Sequence, residues 1–183
     1  MKIGIDISQL AYENTGVANY LSNLVKNLLI LDKKNEYVLF YSSLRRQSQI
    51  SNLKSQIRNS KIKIKSYFLP PSILDFIWNK LHILPIEWFI GEIDIFITSD
   101  WTEPPVSKAK KATILYDLII YKCPFETDAK IISTQKRKLK WVKKESDIIF
   151  CISEATKKDA LEILKIEEKK LHVIYPGMHT KYE

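Results

Sequence analysis

Two carboxylates and an indole fall close together in SDWTEPP, Ser99–Pro105, as Asp100, Trp101 and Glu103. Such a set suits a sugar, whose hydroxyls need acceptors and whose apolar face stacks on a ring. An ordinary surface loop accounts for the same residues. ENTGVANY, Glu13–Tyr20, offers different chemistry. Gly16 falls where a loop enters a helix and Thr15 can cap that helix, whose free backbone N–H groups would bind phosphate. A tight turn with a cap needs no ligand, and no GxGxxG pattern accompanies it. In LYDLIIYKCPFET, Leu115–Thr127, Tyr116 and Asp117 close another apolar run, either as site residues or as a solvated strand end. In CISEAT, Cys151–Thr156, Ser153 is a good N-cap and Glu154 stands in a favourable first turn, so capping alone can explain both. His82, His172 and His179 have no metal-ligand spacing, no Ser-His-Asp order stands out, and nothing resembles a DxD metal site.

These residues act together only if the elements carrying them converge. Apolar runs at Lys2–Ile7, Tyr37–Tyr41, Ile93–Thr98, Ala112–Leu118, Ile148–Ile152 and Leu171–Tyr175 predict strands. Ile62–Tyr67 alternates with Lys63 and Lys65, as a half-exposed or edge strand does. Helical spacing covers Val17–Leu31, about Asp128–Lys144 and Glu154–Leu164. Alternating strands and helices predict an α/β, Rossmann-like fold, with a mostly parallel sheet and helices on both faces. Ligands bind such sheets beyond the carboxyl ends of the strands, where the four segments above all fall. Leu69–Trp88, with Pro70, Pro71 and Pro85, reads as an irregular aromatic excursion.

The 183 residues fit one domain, or at most two very small ones. No apolar stretch of about 18 residues occurs and MKIGIDIS has no signal-peptide pattern, so a cytoplasmic location is expected. Cys123 and Cys151 lack CxxC spacing, and Cys151 reads as a buried free thiol. The net charge of +8 favours anionic partners, although compositional bias gives the same value. The lysines of Lys130–Lys144 form either a solvated helix face or an attraction to acidic lipid, with Phe76, Trp78, Lys80, Trp88 and Phe89 as interfacial helpers. No nucleic-acid-binding motif supports specific binding to DNA or RNA.

The order IGIDIS, TGVANYLSNLV, DIFITS, ATILYDLIIYKCP, DIIFCISEATKKDAL, KLHVIYPG resembles the N-terminal domain of family 4 retaining glycosyltransferases over nearly the whole chain. The resemblance implies half of a GT-B architecture: residues 1–177 as the acceptor-side domain and 178–183 as the start of a linker, without the donor domain. It implies transfer from a nucleotide-sugar, which is a donor substrate and not a cofactor, to a glycan or lipid-linked acceptor. Tyr116 and Asp117 would stand at the donor sugar as catalytic residues, and Thr15 and Gly16 near its diphosphate. Asp100, Trp101, Glu103, Ser153 and Glu154 would hold the acceptor, with no metal. Partners would be the acceptor and a donor domain, in cis or as a separate chain, with possible peripheral contact at the inner face of a membrane. Tyr116 stands where many members have histidine, and Ala18 and Asn19 replace a frequent glycine and arginine. Glu154 and Glu162 match the spacing of the family's paired glutamates but lie on a first-domain helix and are not assigned that role. Weak or no transfer by this chain alone is expected; a non-catalytic glycan-binding or scaffolding module is the alternative.

Overall fold

The computed structural model describes residues 1–12, 14–44 and 61–177. Seven parallel strands form one sheet in the order β3-β2-β1-β4-β5-β6-β7. They are β1 (Lys2–Asp6), β2 (Glu36–Ser42), β3 (Ile62–Tyr67), β4 (Ile95–Thr98), β5 (Lys110–Leu115), β6 (Ile148–Cys151) and β7 (Leu171–Val173). Their helices are α1 (Gly16–Leu31), α2 (Pro71–Leu74), α3 (Glu87–Ile90), α4 (Ile119–Lys122), α5 (Ala129–Glu145) and α6 (Glu154–Glu162). The predicted Rossmann-like plan holds.

Alternation along β2 assigns the faces. Tyr37, Leu39 and Tyr41 pack with Leu21 and Val25 of α1. Val38 and Phe40 point the other way, onto Leu74, Trp78, Ile86 and Phe96. α5 and α6 cover Leu115, Ile149, Cys151 and Leu171. The expected edge strand is β3, with Lys63 and Lys65 exposed between less exposed isoleucines. Cys151 is a buried free thiol as expected, and burial pushes it up to about 11.

The aromatic excursion is not irregular throughout. After α2 the chain continues as a π-helical turn, Asp75–Leu81. Trp78 is fully buried and its Nε1 donates to the Leu84 carbonyl at 3.0 Å. Phe89 packs edge-on against Phe40, Tyr67 and Trp78. Trp78 belongs to the core, which removes it from the expected interfacial set, and Phe89, partly buried, packs against it. The turn ends at His82 and Leu84, both with left-handed φ, of 55° and 60°. His82 is held there by stacking on Trp141 at 3.5 Å, by the Trp78 carbonyl and by Glu145, each 2.8 Å away.

β5 and β7 stop two or three residues before their apolar runs end. β5 ends at Leu115, because its last partners are Thr98 opposite Thr113 and Cys151 opposite Leu115. β7 stops at Val173, opposite Cys151. Ile174 N–H makes a last bond to the Cys151 carbonyl at 2.8 Å, and Tyr116, Asp117 and Tyr175 lie beyond the strand ends, at the carboxyl edge of the sheet.

Candidate functional site

Two cavities meet at that edge. The larger, about 790 Å³, lies between the first turns of α1 and the chain leaving β5, β6 and β7. Gly16, Asn19, Asn23, Tyr116, Asp117 and Tyr175 are among the residues lining it. The smaller, about 200 Å³, has Asp100, Trp101, Gln135 and Lys138 in its wall. Val17, Tyr116 and Asp117 line both.

α1 begins at the larger cavity because Thr15 stops the preceding turn. Thr15 Oγ1 accepts from Ala18 N–H at 3.2 Å and donates to the Tyr12 carbonyl at 2.9 Å. The first intrahelical bond runs from Asn19 N–H to the Thr15 carbonyl. Gly16 and Val17 therefore precede the helical ladder, and their N–H groups remain for a ligand or water. A side chain at Gly16 would meet only open space, so the glycine keeps the helix start accessible.

Tyr116 is 9 % exposed and locked in place. Its ring sits edge-on to Tyr20 at 5.6 Å, its hydroxyl bonds to Ser99 Oγ at 3.1 Å, and its carbonyl accepts from Thr156 Oγ1 at 2.9 Å. Burial pushes its phenol well above the usual tyrosine range, with Asp100 adding to the effect. It is a neutral hydrogen-bonding group near neutral pH. Asp117 is exposed and its Oδ1 accepts from Ile119 N–H at 3.0 Å.

Beneath the smaller cavity lies a charge cluster that the sequence did not announce. Lys138 is fully buried and donates from Nζ to the Ser99 carbonyl. Burial lowers its ammonium, against the attraction of Glu103, Asp100 and Asp6. Burial raises Asp6, although Ser8 bonds and Lys138 oppose it. Burial also raises Asp100, against Lys138 and a bond from Gln135 Nε2 at 3.1 Å.

Glu103 is placed differently from the expectation. It is fully buried and accepts from Thr98 Oγ1 at 2.7 Å and Thr113 Oγ1 at 3.0 Å, with Lys111 Nζ at 3.5 Å. Its backbone N–H donates to Asn79 at 2.9 Å. Glu103 thus ties the loop to the sheet and lines neither of these two cavities, a correction to its role as an acceptor ligand. Ser153 caps α6, accepting from Thr156 N–H at 3.1 Å, and neither it nor the exposed Glu154 lines either cavity. Their capping explanation is sufficient. Residues 178–183, including His179, lie outside the described residues, and so does Glu13.

Asn23 and Asn27, which no sequence motif singles out, line the larger cavity together with Asn19. Their four-residue spacing places three carboxamides on one helix face, a signal present in the sequence. Carboxamides both donate and accept, so this face can bind hydroxyls or amide-bearing rings. Together the two cavities offer helix N–H groups, carboxamides, a phenol and carboxylates around one apolar floor.

No protein-family model matches this chain, and no curated protein does. Solved structures are similar in fold. A UDP-GlcNAc 2-epimerase from Neisseria meningitidis, crystallised with UDP-GlcNAc, superposes with a TM-score of 0.54 at 11 % identity, over 94 % of this chain and 46 % of that one. The UDP-GlcNAc 2-epimerase of Methanocaldococcus jannaschii gives 0.50 at 12 %, over 95 % and 45 %. A glycosyltransferase from Rickettsia africae is 15 % identical over 97 % of this chain and 43 % of that one, but its TM-score of 0.44 is too low to argue from. The chain spans less than half the length of these proteins. The likeness establishes the class of fold: a Rossmann-like domain of the kind that builds GT-B proteins.

Proposed function

We propose that this chain is the acceptor-binding half of a retaining glycosyltransferase, taking part in sugar transfer from a nucleotide-sugar to a glycan or lipid-linked acceptor. One observation carries this reading: Tyr116 and Asp117 form the wall shared by two cavities of different character. The larger begins at the α1 terminus, where Gly16 and Val17 N–H groups and the positive helix end suit a diphosphate. The smaller offers Asp100 and the ring of Trp101, which suit a sugar hydroxyl and its apolar face. A group passing from one to the other would cross at Tyr116. The domain's work is positioning and charge stabilisation: it holds the acceptor hydroxyl and steadies the leaving diphosphate. The other donor contacts come from a second domain, so this chain alone turns over weakly or not at all.

A second reading is a glycan-binding module without catalysis. The side chain of Tyr116 favours it: a buried phenol that stays protonated at neutral pH gives or accepts a hydrogen bond but does not serve as a general base. Saturation-transfer NMR tests the site, with UDP-GlcNAc as first probe, since an epimerase of similar fold was crystallised with it. Other nucleoside diphosphate sugars and short glycans follow. Binding that weakens in Tyr116→Ala and Asn23→Ala supports the site. Binding indifferent to both changes removes it. Release of nucleoside diphosphate on adding a donor domain separates transferase from binding module.

A further inference from the structure

The charge at the sheet edge runs against that of the whole molecule. The chain carries a net charge of +8. Among the described residues that line the two cavities, however, Lys138 is the sole basic side chain. Its ammonium is already engaged, donating to the Ser99 carbonyl from a fully buried position. Glu103, Asp100 and Asp6 all lie close enough to attract it. Lys111, the other buried lysine, is drawn instead to Glu103 at 3.5 Å and Glu145 at 2.9 Å. Asp117, in the shared wall, adds a carboxylate that repels the one on Asp100. Carboxylates therefore outnumber cations around the smaller cavity.

Asp100 is held in a fixed orientation at that cavity. Gln135 Nε2 donates to its carbonyl at 3.0 Å and to its Oδ1 at 3.1 Å. Gln135 and Lys138 are three residues apart on α5, so both reach this loop from one helix face. With those donors in place, the carboxylate acts as an acceptor toward whatever fills the cavity. The space, about 200 Å³, is several times the share of one water, roughly 30 Å³. Trp101, Ile119, Ile131 and Leu139 supply its apolar wall.

We infer that the smaller cavity takes an uncharged sugar and turns away one that bears a carboxylate, with Asp100 as the specificity-determining residue. The inference rests on the reading of this cavity as an acceptor site and narrows the class of acceptor. A sugar hydroxyl donates to the Asp100 carboxylate and forms a charge-assisted hydrogen bond. An anionic group would meet Asp100 and Asp117 instead, with no unengaged lysine in the cavity wall to offset them. Like charges brought together at an interface repel, and salt screens them less where they are partly buried. The larger cavity escapes this rule, because the positive end of α1 lies in it.

Saturation-transfer NMR titrations test it with matched pairs: glucose and glucuronate, galactose and galacturonate, mannose and mannuronate. Each pair keeps the ring and replaces the hydroxymethyl group by a carboxylate. For a ring that binds, the neutral member should bind roughly tenfold more tightly at neutral pH. Asp100→Asn keeps the side-chain volume and an oxygen for Gln135, and should bring the pair to within about threefold. Glu92→Gln, an exposed change at the amino edge of the sheet, should leave the ratio as it was. Melting curves confirm that both variants are folded. Equal affinity within a pair, or a ratio indifferent to Asp100→Asn, overturns the inference and leaves the sugar site standing. Tighter binding of the uronate also overturns it and makes Lys138 an anion anchor. Binding of none of these sugars overturns it as well. In that case retained binding of UDP-GlcNAc preserves the sugar-transfer reading, and loss of both ends that reading too.

Discussion

Gly4 and Gly16 look alike in the sequence, each beside small or apolar neighbours, but space separates their roles. A Cβ on Gly4 would come within 2.7 Å of Phe96 and 2.9 Å of Ile90, inside the packed face beneath α3. Gly4→Ala should cost about 1–3 kcal/mol through overpacking. A Cβ on Gly16 meets nothing within 4 Å. Gly16→Ala should keep the melting temperature or raise it slightly, since alanine favours helix by up to about 1 kcal/mol. The same change should weaken any ligand held at the start of α1. Thermal melts and ligand titration on both variants check the contrast. Stable protein with undiminished binding in Gly16→Ala would remove the helix start from the site.

At the scale of elements, the loop from β4 to β5 is governed by Glu103. Thr98 and Thr113 donate to it, Thr113 also bonds Ser146 at 3.0 Å, and Lys111 is buried beside it. Glu103→Ala strands these partners and should cost about 3 kcal/mol or more, whereas Glu103→Gln keeps one acceptor oxygen and the side-chain volume and should cost less. Urea titrations of the two variants give the comparison; equal costs would deny the network. The strand and helix alternation around this loop was readable, because apolar periodicity is a local property. The π-helical turn was not. Its wider turn breaks the 3.6-residue spacing by which helices are recognised, and so Leu69–Trp88 reads as irregular. The Asn19, Asn23, Asn27 face follows from a local four-residue spacing, but only the packing of α1 over the strand ends sets that face against a cavity.

For the whole molecule, the buried cluster of Asp6, Asp100 and Lys138 links stability to pH. A carboxylate raised in the folded state stabilises below its unfolded value, and that contribution is lost as pH rises through the folded value. Both aspartates are raised by burial, with Lys138 restraining them. Lys138→Met should raise them further. Its cost should be small near about pH 2, where they are protonated in both states, and reach about 3 kcal/mol at neutral pH. Glu145 works in the opposite sense. Burial alone would raise it, but Lys111 and His82 together hold it below the usual range. Its contribution is present above the unfolded value and lost as pH falls through the folded one. Urea titrations across the acid range check both signs; a cost of Lys138→Met that does not change with pH would show that the lysine only fills space.

The sequence by itself determined the parallel α/β plan, the edge strand, the two long helices and the Tyr116–Asp117 pair at a strand exit. Those features follow from neighbours within a few residues. Tertiary structure alone decided that Asp100 borders a cavity while Glu103, in the same short loop, is sealed inside. It also decided that Lys138, on a lysine-rich helix, points into the interior while Lys140 and Lys144 lie over the ring of Trp141. The physical reason is that a buried charge persists only where distant partners meet it. Thr98 and Thr113 reach Glu103 through strand pairing, and the Ser99 carbonyl reaches Lys138 through helix packing.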